Sequence, residues 1–170
     1  VVDGVIVLGA FLQETITDIY HRAGQNIVLI DSYTPSEIAF DSILIDNRQG
    51  AAYAVNHLIE NGHRKIGLLG SHEDDYPSII QRRESYIHTL ARHGIHDLYI
   101  EESSLNYDVA YDATLRLMTK HPDITAISTC NDQIAINSVI PALDSLGYSV
   151  PDDISIIGID NIEAAQTHTP

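Results

Sequence analysis

Ile124-Thr125-Ala126-Ile127-Ser128-Thr129-Cys130-Asn131-Asp132-Gln133 decides the fold class. Its first five residues carry no charge and are rich in β-branched side chains, so Ile124 to Ser128 reads as a strand. Asn131 is placed to cap a helix, and an amphipathic pattern runs from Gln133 to Leu146. A strand, a short polar turn and a helix make one βα unit.

Working outward, the same alternation fills the chain. Further strands are expected at Val5 to Leu8, Ile27 to Ile30, Ser42 to Ile45, Lys65 to Leu69 and Ile154 to Ile159. Helices are expected near Glu14 to Ala23, Gly50 to Asn61, Ile79 to His93 and Asp108 to His121. Gly24, Gly62, Gly94 and Gly147 each follow a helical pattern where a positive φ ends a helix cheaply. Ser78 with Gln81 has the spacing of a capping box. Ser32 to Phe40 is ambiguous: Thr34, Pro35 and Glu37 suit the cap, first and third positions of one helical turn, or the stretch connects two sheets. Strands apolar almost throughout are expected to be buried on both faces, as in a parallel sheet covered by helices on either side. The fold class is α/β, doubly wound.

The chain has 170 residues and a net charge of -15, from 9 Lys+Arg against 24 Asp+Glu. A surface that grips nucleic acid needs positive charge to displace counterions, so this segment by itself is not expected to bind DNA or RNA. Hydrophobic residues at 44% and charged residues at 19% describe a globular chain, not a disordered one. The single cysteine, Cys130, excludes an internal disulfide and a multi-thiolate zinc site. The start lacks a methionine and the end stops in a loop-like stretch, which suggests a piece of a longer protein.

In an open parallel sheet, ligands bind beyond the carboxyl ends of the strands. The residues there are Gly9, Asp31, Asp46, Gly70 with Ser71, Asn131 with Asp132, and Asp160 with Asn161. Carboxylates and amides on such a rim, with a guanidinium such as Arg82, can pair with vicinal hydroxyls of a sugar or another polyol. For any one of them, a role as turn former or helix cap outweighs ligand contact; as a group they favour a ligand. Arg82 and Arg83 lie in the first turn of a helix, against its dipole, so something else must want positive charge there. One of the two is expected to be a solvated surface arginine.

Catalysis is not expected. Gly9 and Gly70 are single glycines, unlike a phosphate or dinucleotide cradle, and Cys130 has no histidine near it in sequence, so it reads as buried filling. The histidine pairs His57/His63 and His93/His96 straddle helix ends and do not share a face, so no metal site is expected and the histidines read as mostly surface residues. No cofactor is implied.

Four stretches carry a resemblance. They are Asp46-Asn47-Arg48-Gln49-Gly50-Ala51-Ala52, His57-Leu58-Ile59-Glu60-Asn61-Gly62-His63-Arg64-Lys65-Ile66-Gly67, Asn131-Asp132-Gln133-Ile134-Ala135, and Val150-Pro151-Asp152-Asp153-Ile154-Ser155-Ile156-Ile157-Gly158-Ile159-Asp160-Asn161. In order and spacing the chain resembles the lactose-repressor/galactose-repressor (LacI/GalR) family of bacterial transcription regulators. The resemblance implies a periplasmic-binding-protein-like type I core of two doubly wound parallel-sheet subdomains, present here as a fragment. Residues 1–45 would belong to the N-terminal subdomain, 46–161 to the C-terminal one, and 162–170 would begin the return crossover. The family's helix-turn-helix headpiece and hinge helix are absent from this sequence.

Carried over residue by residue, the resemblance implies an effector site built from Asp31, Ser78, Arg82, Asn131 and Asp160, with Tyr86 as the aromatic four residues after the arginine. Ser85 departs from the glycine the family usually has there. The implied function is a cytoplasmic sensor, a homodimer by family expectation. A small-molecule effector, a sugar by this reading, would bind between subdomains and modulate operator DNA binding by the separate headpiece. A periplasmic sugar-binding protein of a transport system is the alternative, and a hydrolase or transferase is disfavoured because no nucleophile constellation is present.

Overall fold

The computed structural model describes residues 3–9, 18–22, 26–32 and 40–168. The chain divides into two compact units, Val1–Asp46 with Tyr76–Ser78, and Asn47–Asp75 with Ile79–Pro170.

In the first unit, β1 (Val5–Leu8), β2 (Ile27–Ile30) and β3 (Asp41–Ile43) form a parallel sheet in that order. β1 and β2 coincide with the expected strands, whereas β3 starts one residue early and ends at Ile43. Val7, Ile27 and Leu29 are buried together, with Ile19, Tyr20 and Phe40 packed against them. The period of two sends Ile6 and Leu8 to the other face, where they are 70% and 68% exposed. Burial on both faces is therefore not met in β1, nor in β3, which is exposed throughout. Residues 18–22 are helical; the rest of the helix expected at Glu14 to Ala23, Gly24, and the Thr34-Pro35-Glu37 turn lie outside the described residues.

In the second unit, β4 (Ile66–Leu69), β5 (Tyr99–Ile100), β6 (Ala126–Thr129) and β7 (Ser155–Ile157) form a parallel sheet in the order β5-β4-β6-β7. The connecting helices are α1 (Asn47–Glu60), α2 (Pro77–Arg92), α3 (Tyr107–Lys120), α4 (Asp132–Ile134), a π-helical turn (Ala135–Val139), α5 (Ile140–Ser145) and α6 (Glu163–Thr167). The central strands β4 and β6 are buried at every position, as expected, while the edge strand β7 is only half-buried. Alternate residues feed two cores. Ile66 and Leu68 pack with Val55, Leu58, Tyr86 and Leu90 of α1 and α2, and Leu69 and Ile127 pack with Leu117, Ile134 and Leu143 from α3 and the helix after β6. Helices on both faces of a parallel sheet make this unit doubly wound.

Three of the glycine stops hold: Gly62, Gly94 and Gly147 have φ of 95°, 71° and 83°. α2 begins at Pro77, which suits the first helical position because its missing N–H would have no helical partner. Ser78 therefore lies inside the first turn and is not the cap of a capping box. The helix after β6 widens into a π turn just before Pro141, whose ring cannot donate a hydrogen bond and crowds the preceding turn. Among the described residues, no helix is long and apolar enough to cross a membrane.

Candidate functional site

Because β5 adds on one side of β4 and β6 on the other, the strand order of the second unit's parallel sheet reverses between β4 and β6. A crevice beyond the carboxyl ends of those two strands is where an open α/β sheet takes a ligand. β4 is followed by Gly70 and Ser71, and β6 by Cys130, Asn131 and Asp132.

Arg82 stands at that point. It is 7% exposed, and three edges of its guanidinium are engaged. Nε donates to Asn47 Oδ1 at 2.8 Å and Nη1 to the Cys130 carbonyl at 2.5 Å, while Nη2 faces Asp160 Oδ1 at 3.1 Å. A planar donor fork meets several acceptors at once in a way an ammonium cannot. The opposing carboxylate of Asp160 is 37% exposed, so the pair opens to the rim. α2 begins at Pro77, so Arg82 and Arg83 lie in its second turn and not, as expected, in its first, and these bonds are the reason for a positive charge at Arg82. Asp160 itself sits at φ 111°, a backbone conformation that a non-glycine residue adopts only when its surroundings hold it, and the following Asn161 at φ 54°, in the left-handed region that asparagine tolerates.

Asn131 caps α4: its Oδ1 accepts from the Ile134 N–H at 2.8 Å. That use leaves its amide NH2 to face other groups, so a cap and a ligand contact are compatible. Replacing Asn131 with alanine is expected to cost about 1 kcal/mol of stability, read from denaturant unfolding, and Asn131→Asp is expected to keep most of it.

The expectation that one of the two arginines is solvated is not met. Arg83's side chain is 13% exposed, and it binds Glu102 at 3.0 Å, Glu73 at 3.5 Å and the buried Ser71 hydroxyl at 3.3 Å. Those carboxylates lie in the loop after β4 and just after β5, where no local pattern signals a pairing. Tyr86 is 1% exposed and donates to the Ile66 carbonyl at 2.6 Å, so it ties α2 to β4 within the core. Burial raises its phenol pKa. Ser85 donates to the Arg48 carbonyl at 2.6 Å, linking α2 to α1 where a glycine would leave no such bond.

Cys130 is buried, and burial pushes its thiol up to about 12, so it is filling and not a nucleophile. The histidines are exposed or half-buried. Among the described residues, no group of three or more His, Cys, Asp or Glu side chains could hold a metal ion.

Of the five expected site residues, the structure brings Arg82 and Asp160 into contact and places Asn131 next to the Cys130 carbonyl that Arg82 also binds. Ser78 is half-buried, one turn before Arg82 on α2. Asp31 belongs to the first unit, at φ 51° after β2; its backbone N–H donates to the Ile43 carbonyl at 3.0 Å, and its Oδ1 is buried with no partner among the described residues. Sequence reasoning missed Asn47 as an anchor for Arg82. Its place in an Asp-Asn pair beyond the expected strand at Ser42 to Ile45 was the available signal.

With this geometry in place, comparison with known proteins is specific. The profile of the periplasmic binding protein-like domain family matches residues 55–170. The HTH-type transcriptional repressor PurR of Mannheimia succiniciproducens is 31% identical over 99% of this chain and 51% of that protein. A LacI family transcriptional regulator from Enterococcus faecium, solved with bound ribose, superposes with a TM-score of 0.84 at 27% identity, over 99% of this chain and 62% of that one. The transcriptional regulator CelR in its cellobiose complex gives a TM-score of 0.82 at 25% identity, over 97% of this chain and 51% of that one. The chain belongs to the periplasmic binding protein-like domain family, in the form that serves as the effector-binding domain of LacI-type transcriptional regulators. It spans about half the length of the curated relatives it matches.

Proposed function

We propose that this chain is the effector-binding core of a transcription regulator whose ligand is a sugar, held at the rim that carries Arg82, Asn131 and Asp160. The observation that carries the reading is the Arg82–Asp160 contact at the point where the strand order reverses. The guanidinium is fixed from behind by Asn47 and the Cys130 carbonyl, and Nη1 and Nη2 each retain a second N–H for ligand oxygens. A half-exposed carboxylate beside such a fork complements the donor and acceptor faces of vicinal hydroxyls.

Structural relatives solved with ribose and with cellobiose support a sugar, and the relatives' being repressors supports a regulator over a transport protein. Asp31 and Ser78 are further proposed contacts, resting on the resemblance. Residues 1–45 and 46–161 are the proposed two effector-binding subdomains, with 162–170 starting the return crossover. Homodimerisation, a cytoplasmic location and operator DNA binding through a separate headpiece belong to the same proposal. The effector acts by binding one arrangement of the protein more tightly than another, and its influence on DNA affinity is bounded by that difference.

A thermal-shift screen of the full-length protein against pentoses, hexoses and disaccharides tests the reading. At least one sugar is expected to raise the midpoint in proportion to the logarithm of its concentration. A screen in which no sugar does so, while a non-sugar metabolite does, contradicts it.

A further inference from the structure

The turn that presents Asp160 is held by a residue outside the set of proposed contacts. Asp132, 7% exposed, is the first residue of α4. Its Oδ2 accepts from the Ile162 N–H at 3.0 Å, and its own backbone N–H donates to the Ile159 carbonyl at 2.9 Å. The two bonds grip the chain on either side of Asp160 and Asn161, the pair with φ of 111° and 54°. Asparagine tolerates the left-handed region at φ 54°, but an aspartate at φ 111° needs support from its surroundings.

Gly158 completes the fit. A Cβ there would lie 2.2 Å from Asp132 Oδ1, so the absence of a side chain at 158 is what allows the carboxylate to sit against the turn. Asp160, so placed, reaches Arg82 Nη2 at 3.1 Å. We infer that Asp132 is a positioning residue for effector binding: clamped against Gly158 and bonded to Ile162, it fixes the turn that sets Asp160 opposite Arg82. The inference rests on the effector reading above.

Its test uses the full-length protein and compares Asp132→Ala, Asp132→Asn and Gly158→Ala with the parent. Asparagine keeps a side-chain oxygen able to accept from Ile162, alanine has none, and Gly158→Ala displaces the carboxylate while leaving residue 132 intact. Hydrogen exchange at the Ile162 amide is expected to speed up by more than about tenfold in Asp132→Ala and Gly158→Ala, the loss of one hydrogen bond to a charged acceptor. Crystal structures of the same two variants are expected to show Asp160 beyond hydrogen-bond reach of Arg82, with Asp132→Asn like the parent in both respects. If Asp132→Ala does not fold, Gly158→Ala carries the same test. Asp160 still in contact with Arg82 in the variants that lose Ile162 protection overturns the inference.

D-ribose serves as the binding probe. Its affinity is expected to fall in Asp132→Ala, and to fall no further when Asp132→Ala is added to Asp160→Ala, because the first residue acts through the second. A loss of equal size in both backgrounds also overturns it. A parent protein that does not bind ribose counts against the effector reading for that sugar, while the exchange and crystallographic results decide the role of Asp132 separately.

Discussion

Arg82→Ala is expected to lower the free energy of unfolding by about 3 kcal/mol, the sum of several charge-assisted hydrogen bonds less the solvation its exposed partner regains. Asn47 and the Cys130 carbonyl lose a donor inside the protein, whereas Asp160, 37% exposed, is partly rehydrated. Arg82→Lys is not a rescue, because an ammonium on a flexible stem cannot reach an amide oxygen, a carbonyl and a carboxylate in three directions. Denaturant unfolding of the three proteins reads this directly. A lysine variant as stable as the parent would mean that the fork geometry is not what holds the site.

The second large effect belongs to the core. Leu117 is 1% exposed, and a Cβ on Gly67 would lie 2.8 Å from its Cδ2. Leu117→Ala is expected to cost about 3 kcal/mol through lost burial and a residual cavity. Gly67→Ala alone is expected to cost roughly 1–2 kcal/mol by overpacking α3 against β4. In the Leu117→Ala background that cost should vanish or reverse, because the new methyl enters the space the leucine left. Strict additivity of the two changes, measured by the same unfolding experiments, would show that α3 does not bear on Gly67 as described.

Much of the fold can be read from local signals. β1, β2, β4 and β6 stand within two residues of the Val/Ile runs that announce them, because a strand buried on one or both faces cannot hide its composition. β5 was not expected: a strand of two residues, Tyr99 and Ile100, has no room for a period. α6 was missed for the same reason, as five residues do not establish a helical repeat. The error over β1 and β3 has a different cause. Apolar composition states that a face wants cover, and Ile6 and Leu8 are apolar yet exposed among the residues present.

The site was legible in its parts and not in its wiring. Arg82, Asn131 and Asp160 follow from strand ends, helix position and resemblance. The bonds that orient them come from Asn47, the Cys130 carbonyl and Asp132, with Gly158 leaving room for the Asp132 carboxylate, and these residues by themselves signal only a cap, a turn or a core position. Arg83 illustrates the limit: nothing local distinguishes it from a solvated arginine, and its burial depends on Glu73 and Glu102 being brought to it by β4 and β5. The net charge of -15 has gained a narrower meaning. It remains the reason this segment by itself is not expected to bind DNA, and it is compatible with a regulator whose positive charge lies elsewhere in the protein.

The central claim is that the Arg82–Asp160 rim binds the effector, and calorimetric titration of the full-length protein with the sugar that gives the largest thermal shift tests it most directly. Asp160→Ala is expected to fold, with some loss of stability as Arg82 loses its counter-charge, and to weaken binding by more than about 1.5 kcal/mol, the loss of a charged hydrogen bond to the ligand and of the group that faces Arg82. Affinity for that sugar unchanged in a folded Asp160→Ala protein would contradict the placement of the site.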